Sequence, residues 1–522
     1  MSDEITPQLQ QIRPSGLPEE CMVDIDVMLQ KWQNKLGRNQ LRSRYYDGRQ
    51  NLKNLGIAVP PTLSKVDEVV GWPAKAVDAL ANRVVFDGFV STGDDRDPFG
   101  LDEVLEANDF AVELPKAIRS ALKHSCSFVC LRSGDPSIGE PEVVITFRSA
   151  LYATGIWNMA TRSLRAAMVV QDIDDAQAEQ GIMIPTDVML YEPGYNIRIL
   201  RTDAGYVASD PMPTGLDHVP VWLLAYHSDL DRPFGRSRIN REVMSITDQA
   251  ARTMLRMDIG AEFYSAPRAA LIGAEPPVDK DGHPITGWEA AISHLLVINA
   301  DEDGVKPTIQ QLSQMTMQPH SDQLRVLAAR MSGATDIPMA KLGVMTDSGP
   351  SSADAIAAGE SDLVIEAKNT CDAFGVQLRR MARDIALLKN GDNIDEKQLA
   401  ALDVNWRDPE RPSRASRADA ILKQVQAIPW LAECDVILEE LGYDDAKITR
   451  LLASKRKADA RSVLDSLTKT ATQRQETEVN TDDDTAGRGN TQPRAAAGGQ
   501  DGDQGDEKPM DNGSGSERRM AA

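Results

Sequence analysis

Ile337-Pro338-Met339-Ala340-Lys341-Leu342-Gly343-Val344-Met345-Thr346-Asp347-Ser348-Gly349-Pro350 is the stretch that organises the rest of the chain. With two glycines and no period of 2.0 or 3.6 residues it reads as a mobile loop. On its N-terminal side, about His320 to Thr335 reads as a helix. On its C-terminal side, Ile356, Val364, Ala367, Cys371, Phe374, Leu378, Met381, Ile385 and Leu388 mark one apolar stripe on a helix from Ser352 to about Leu388, roughly 55 Å long. Ser351, three residues before Asp354, resembles a capping box, and Gly359 and Gly375 are candidate bends. Further upstream, Ile239, Val243, Ile246, Ala250, Met254, Met257 and Ala261 predict another helix of roughly 37 Å. Arg236, Arg238, Arg241, Arg252 and Arg256 share that segment and read as its solvated face. Between the two upstream helices, residues 264–318 change to short apolar runs separated by Asp281-Gly282, Gly287 and Asp303-Gly304, which predicts a small β-rich insertion.

Working outward to the N-terminus, Met22, Ile25, Leu29, Trp32 and Leu36 predict a helix over about Glu19 to Arg42. Residues 43–63, with Asp47-Gly48 and Pro60-Pro61, read as a connector. A second helix is expected over about Lys65 to Val84, interrupted at Gly71-Trp72-Pro73, then a strand-like Val84 to Val90, and a third helix over Phe110 to Lys123. Ser127 to Arg132, Val143 to Phe147, Ala166 to Gln171, Val188 to Tyr191 and Ile197 to Arg201 read as strands, so residues 1–234 form a mixed α+β region. Towards the C-terminus, Leu402 to Trp406 reads as a strand. Ser413 to Ala427, Ala432 to Leu441 (stopped by Gly442) and Asp444 to about Leu467 read as helices. From 458 onward the polar composition increasingly predicts a disordered tail, clearest beyond Thr470.

The 522 residues carry 57 Lys+Arg against 79 Asp+Glu, a net charge of −22. Such acidity opposes tight coating of nucleic acid, which depends on clustered cations that release phosphate counterions. About −5 lies beyond Thr470 and about −17 on the remainder, so the acidity belongs to the folded body. No apolar run approaches the roughly 20 residues of a membrane-spanning helix, and the N-terminus lacks a secretory pattern, so a cytosolic chain without membrane contact is expected. Five scattered cysteines do not outline a disulfide framework.

Chemistry is sparse. No P-loop, Gly-x-Ser-x-Gly elbow, His-Glu-x-x-His pair or dinucleotide fingerprint occurs. Asp279-Lys280-Asp281-Gly282 lacks calcium ligands at the required offsets (Pro277 and Trp288 stand there) and reads as a hairpin turn. Cys126, Cys130 and His124 are the best metal candidates, yet no second half of a site accompanies them, and packing is the expected role. Neither a catalytic constellation, a cofactor nor a metal is expected.

The order helix, β-rich insertion, helix, loop, very long helix, helical end and polar tail resembles the portal proteins of tailed bacteriophages. So do the local sequences Tyr45-Tyr46-Asp47-Gly48, Val77-Asp78-Ala79-Leu80-Ala81-Asn82-Arg83 leading to Asp87-Gly88-Phe89, and His218-Val219-Pro220-Val221. Phe234-Gly235-Arg236-Ser237-Arg238-Ile239, Ile337-Pro338 with Leu342-Gly343, and Ser351-Ser352-Ala353-Asp354-Ala355-Ile356 complete the set. The chain is similar, over about residues 15–455, to the Gp6-type portal family of siphophages, especially its actinobacteriophage members.

That resemblance implies an α+β, predominantly helical portal fold in a cyclic ring of about twelve copies. Residues 1–234 would be the N-terminal wing, 235–263 and 319–336 the two stem helices, and 264–318 the clip. Residues 337–351 would form the tunnel loop, 352–411 the long wing helix and its strand, 412–457 the crown and 458–522 the tail. Met339, Lys341, Leu342, Val344, Met345, Thr346 and Asp347 are the implied tunnel-loop contacts with DNA, and Arg241, Asp248, Arg252 and Arg256 the implied channel-facing stem residues. Implied partners are the terminase large subunit, a head-completion adaptor, the major capsid and scaffolding proteins, and double-stranded DNA in the channel. A minor capsid or head-tail connector role without a DNA conduit is the alternative.

Overall fold

In the computed structural model the described residues are 12–50, 68–91, 97–178, 183–264, 269–272, 308–311, 316–344, 353–391, 394–410, 414–434, 436–443 and 445–479. The chain forms two compact units, Met1–Arg411 and Pro412–Ala522.

The first unit begins with helix α1 (Glu19–Tyr46), α2 (Trp72–Ala81), strand β1 (Phe86–Val90), α3 (Leu101–Ala107) and α4 (Phe110–His124). Strands β2 (Cys126–Ser133), β3 (Val143–Ser149), β4 (Ala153–Asn158) and β5 (Ser163–Ile173) follow, then a single turn α5 (Asp175–Ala178). Next come β6 (Pro185–Glu192), β7 (Tyr195–Thr202), β8 (Gly205–Ala208), β9 (Met212–Pro213) and β10 (Val221–Ala225). The order β4-β5-β6-β7-β8, with β9 also on β7, makes a six-stranded antiparallel sheet, and β10-β2-β3 a three-stranded one.

Strand alternation explains the layering. Cys126, Phe128 and Cys130 of β2 point into a core shared with Ala167, Val169 and Tyr191 of the large sheet, while Val129 and Leu131 point the other way, towards α4. The strand is therefore buried on both faces and reads as a continuous apolar run rather than an alternating one. On the far side of the large sheet, α1 lays Ile25, Met28, Leu29, Trp32 and Leu36 over Met168, Val188, Leu190 and Ile197. Full burial of each such side chain contributes about 1.5–3 kcal/mol. Trp32 donates its indole N–H to the Leu151 carbonyl at 2.7 Å, which satisfies its one polar atom.

Helix α6 (Arg241–Tyr264), strands β11 (Ala269–Ile272) and β12 (Thr308–Gln311), α7 (Gln318–Thr335) and α8 (Ala353–Asn390) come next, then α9 (Glu396–Ala400) and β13 (Asp403–Trp406). β11 and β12 pair antiparallel, the described part of the expected β-rich insertion. The 38-residue α8 is continuous, and Leu363, Ala367, Cys371, Phe374, Leu378, Met381 and Ile385 form its buried stripe. Ile356, read as part of that stripe, is exposed. Gly375 answers a packing demand: a Cβ there would lie 3.2 Å from the Trp406 indole nitrogen on β13. β13 pairs antiparallel with β1, tying residues 403–406 to residues 86–90.

Several boundaries differ from the sequence reading. Gly71-Trp72-Pro73 starts α2 instead of interrupting a longer helix, with Pro73 in the first turn where its missing N–H costs nothing. α1 runs on to Tyr46 before the turn at Gly48 (φ 68°). The sequence reading does not include α3, β4, β8 and β10; β10 is a continuous apolar run because both its faces are buried, so it carries no alternation. Ser351, Ser352, Asp279 to Gly282 and most of the insertion lie outside the described residues.

The second unit contains α10 (Arg414–Ala427), α11 (Val436–Glu440) and α12 (Asp445–Val479). The helix expected from Ala432 to Leu441 is split: Pro429–Glu433 is a 3-10 turn and Cys434 is extended before α11. Gly442 does adopt the left-handed conformation of a helix stop (φ 81°). α12 corrects the expected tail, because residues 458–479 are helical. Their Ala, Lys, Arg, Leu and Gln content favours helix without any core to bury. Among the described residues no helix is long and apolar enough to cross a membrane.

Candidate functional site

Two helices and the loop leaving them define the site. Val243, Ile246 and Ala250 of α6 and Leu327, Ala328 and Met331 of α7 close a core with Val70, Trp72, Ala76, Ile337 and Leu342. Buried Thr247, Thr253 and Thr335 each donate their hydroxyl to the carbonyl four residues back, at 2.7, 2.9 and 2.7 Å, so the pair buries no unsatisfied hydroxyl at these positions. The spacing Asp248, Arg252, Arg256 sets one row along α6, with Arg241 two turns earlier.

The structure divides these four candidates. Asp248 accepts a hydrogen bond from the Tyr45 phenol at 2.9 Å, which fastens α6 to α1. Burial first, and this bond second, hold the Tyr45 phenol well above the ordinary tyrosine range. Arg241 and Arg256 are exposed and Arg252 is half-buried. Among the described residues none of these three makes an ion pair, so their charge stays available to an external partner.

Arg238 overturns the solvated-face reading. It precedes α6, is 6% exposed, and distributes its guanidinium among four acceptors. Nε donates to the Ala76 carbonyl at 2.5 Å and Nη1 to the Tyr226 hydroxyl at 3.0 Å. Nη1 also pairs with Glu366 of α8, and Nη2 donates to the Thr335 carbonyl at the end of α7. Its backbone N–H reaches the Leu122 carbonyl at 2.9 Å. One side chain thus joins α2, the end of β10, α7 and α8. A buried guanidinium is tolerated only where its donors are met, as here. Arg236, also read as part of the helix face, lies before α6 and pairs with Asp229 at 3.3 Å.

The loop is anchored where it begins. Met339–Leu342 is a 3-10 turn, Leu342 is buried, and Trp72 donates its indole N–H to the Leu342 carbonyl at 3.0 Å. Met339 and Val344 pack against the same core. The Lys341 ammonium pairs with Glu360 of α8, whose second oxygen pairs with Arg83. Burial opposes ionisation of Glu360, but these two cations hold its pKa below the ordinary carboxylate value. Residues 339–344 are therefore a packed turn rather than the mobile loop the sequence suggests. An apolar residue every third or fourth position is too sparse a signal over six residues. Met345, Thr346 and Asp347 lie outside the described residues.

Cys126 and Cys130 are buried between the two sheets, their thiols pushed up to about 12 by desolvation. His124 is also buried, its ring placed 2.9 Å from the Ser43 hydroxyl and 3.3 Å from that of Ser120.

The model of the family described as "Phage portal protein, SPP1 Gp6-like" matches residues 25–430. The chain belongs to this phage portal protein family. Its function is accordingly that of a phage portal, a structural component of the virion. The portal protein of Mycobacterium phage D29 is 27% identical over 428 residues, covering 81% of this chain and 86% of the relative. The portal protein of Mycobacterium phage L5 is 28% identical over 390 residues, covering 73% and 77%. Among solved structures, a chain titled "Neck of native GTA particle computed with C12 symmetry" is similar with a TM-score of 0.38 and 14% identity, over 71% of this chain and 89% of that one. Two of the stretches on which the sequence resemblance rests fall on the joints described above: Phe234 to Ile239 contains Arg238, and Ile337-Pro338 with Leu342-Gly343 forms the packed start of the loop.

Proposed function

We propose that the portal acts as a cyclic ring of about twelve copies at one capsid vertex, a conduit through which double-stranded DNA enters during packaging and leaves at ejection. In this reading α6 and α7 are the stem, residues 264–318 the clip, and 337–351 the tunnel loop. The layered α+β body with α8 is the wing, and 412–457 the crown. The clip meets the terminase large subunit and later the head-completion adaptor. Major capsid and scaffolding proteins surround the ring, which assembles in the host cytoplasm without membrane contact.

The observation that supports this most is the order α6, β11–β12, α7, packed turn, α8 inside the family match at 25–430. Charge supports the conduit. At −22 per copy, about −264 over twelve, a bore lined by this surface repels phosphate and lets DNA slide. Arg241, Arg252 and Arg256, repeated around the ring, give a few points of attraction that slow it. The test is packaging into procapsids assembled with and without the protein. A conduit predicts no packaged genome in its absence; full-length packaged DNA in tailless heads would favour the connector alternative.

A further inference from the structure

After β10 the chain makes a tightly built turn that presents one leucine, Leu230, between two aspartates. Asp229 and Arg232 exchange backbone hydrogen bonds at 3.2 and 2.9 Å, and the Leu230 N–H donates to the Asp229 carboxylate at 2.8 Å. Below the tip, Gly235 N–H donates to the Arg232 carbonyl at 3.0 Å and Arg236 N–H to the Tyr226 carbonyl at 2.8 Å. Gly235 is at φ 68°, and a Cβ there would lie 2.1 Å from the Tyr226 oxygen, so the base of the turn accepts only glycine. On this scaffold Leu230 is 90% exposed. Asp231 beside it is exposed and has no partner among the described residues.

The same unit carries a hollow of about 410 Å³ where the end of α2, β1 and α4 meet. Val84, Phe86, Leu114, Pro115 and Ile118 line it, and Arg119 stands beside them. Arg119 donates its Nε to Asp78 at 3.0 Å, and its two terminal nitrogens have no partner among the described residues. The hollow is largely apolar, with Asn82 and the Arg119 cation at its wall; the turn offers one exposed leucine beside one unpaired anion, Asp231.

We infer that Leu230 of one copy seats in the α2–β1–α4 hollow of the next copy, with Asp231 meeting Arg119. This rests on the ring reading, because a closed ring needs two different complementary patches on every copy, and the turn and the hollow are such a pair. A turn already ordered before docking gives up little conformational entropy, and the burial of one leucine is repeated at every contact around the ring.

The test uses the full-length protein. With Leu230→Cys and Pro115→Cys combined, oxidation produces a ladder of covalent multimers on non-reducing gels, and neither single variant does. Leu230→Asp lowers the fraction of rings by about tenfold, since it places a charge in a desolvated contact, while the circular dichroism melt stays unchanged. Asp231→Arg and Arg119→Glu each reduce ring yield, and the two together restore it. If wild-type rings form but Leu230→Asp gives as many and the double cysteine variant gives no ladder, the contact is wrong and the ring stands. A shifted monomer band without a ladder also overturns the contact. If the wild-type protein forms no ring, both readings fail.

Discussion

The two units of the chain, Met1–Arg411 and Pro412–Ala522, are both rich in helix yet reach stability differently. The first stacks α1, the six-stranded sheet, the three-stranded sheet and α4 with α8 around cores whose members are mostly under 5% exposed. The second buries only Ile421 and Ile448 among its large apolar side chains with described exposure, and leaves Leu422, Ile428, Trp430 and Val436 at 42–67% exposure. Helix α12 goes further, with every side chain from Ala453 to Ser466 exposed. The contrast teaches that the first unit is held by tertiary burial and the second by helix propensity, which is individually weak.

That contrast can be broken most forcefully at Arg238. Arg238→Ala leaves the half-buried Glu366 without its cation, though still bonded by the Tyr226 hydroxyl, and removes a donor from the Ala76 and Thr335 carbonyls; it is expected to cost about 3 kcal/mol, read from the denaturant midpoint of the subunit. Gly235→Ala comes next: the forced contact with the Tyr226 carbonyl and the positive φ predict a loss of about 1–3 kcal/mol in the same measurement.

Two histidines of the first unit sharpen the comparison through pH, with opposite signs. His218 bonds Asp384 of α8 and Asp217, both at 2.9 Å, and is raised to about 9, chiefly by the Asp384 bond. Its stabilisation is complete below its unfolded value near 6.5 and fades as pH rises towards 9. His124 is lowered to about 3, chiefly by burial, so its neutral form is stabilising above 6.5 and that contribution is lost as pH falls from 6.5 towards 3. His218→Gln should flatten the alkaline side of a stability-versus-pH curve and His124→Gln the acid side; the reverse assignment would refute both. At the small end, Trp430→Ala in the second unit, at a residue 67% exposed, should change subunit stability by no more than about 0.5 kcal/mol.

Much of this fold is legible in the sequence where one face of one element decides it. The stripes on α1, α4, α6, α7 and α8 are periodic and local. What is not legible depends on partners far along the chain. β10 has no period because both its faces are buried, β1 meets β13 across more than 300 residues, and Arg238 finds its acceptors at positions 76, 226, 335 and 366. No spacing rule connects those positions. The candidate site shows the same division: the order of helix, insertion, helix and loop is readable, whereas the engagement of Lys341 by Glu360 and of Asp248 by Tyr45 is not.

The central claim is a ring with a DNA-sized bore, and negative-stain electron microscopy of the purified full-length protein tests it most directly. The account predicts closed rings in end view, with a central hole wide enough for one DNA duplex. A uniform population of compact monomers, at concentrations where the subunit is folded, would contradict it.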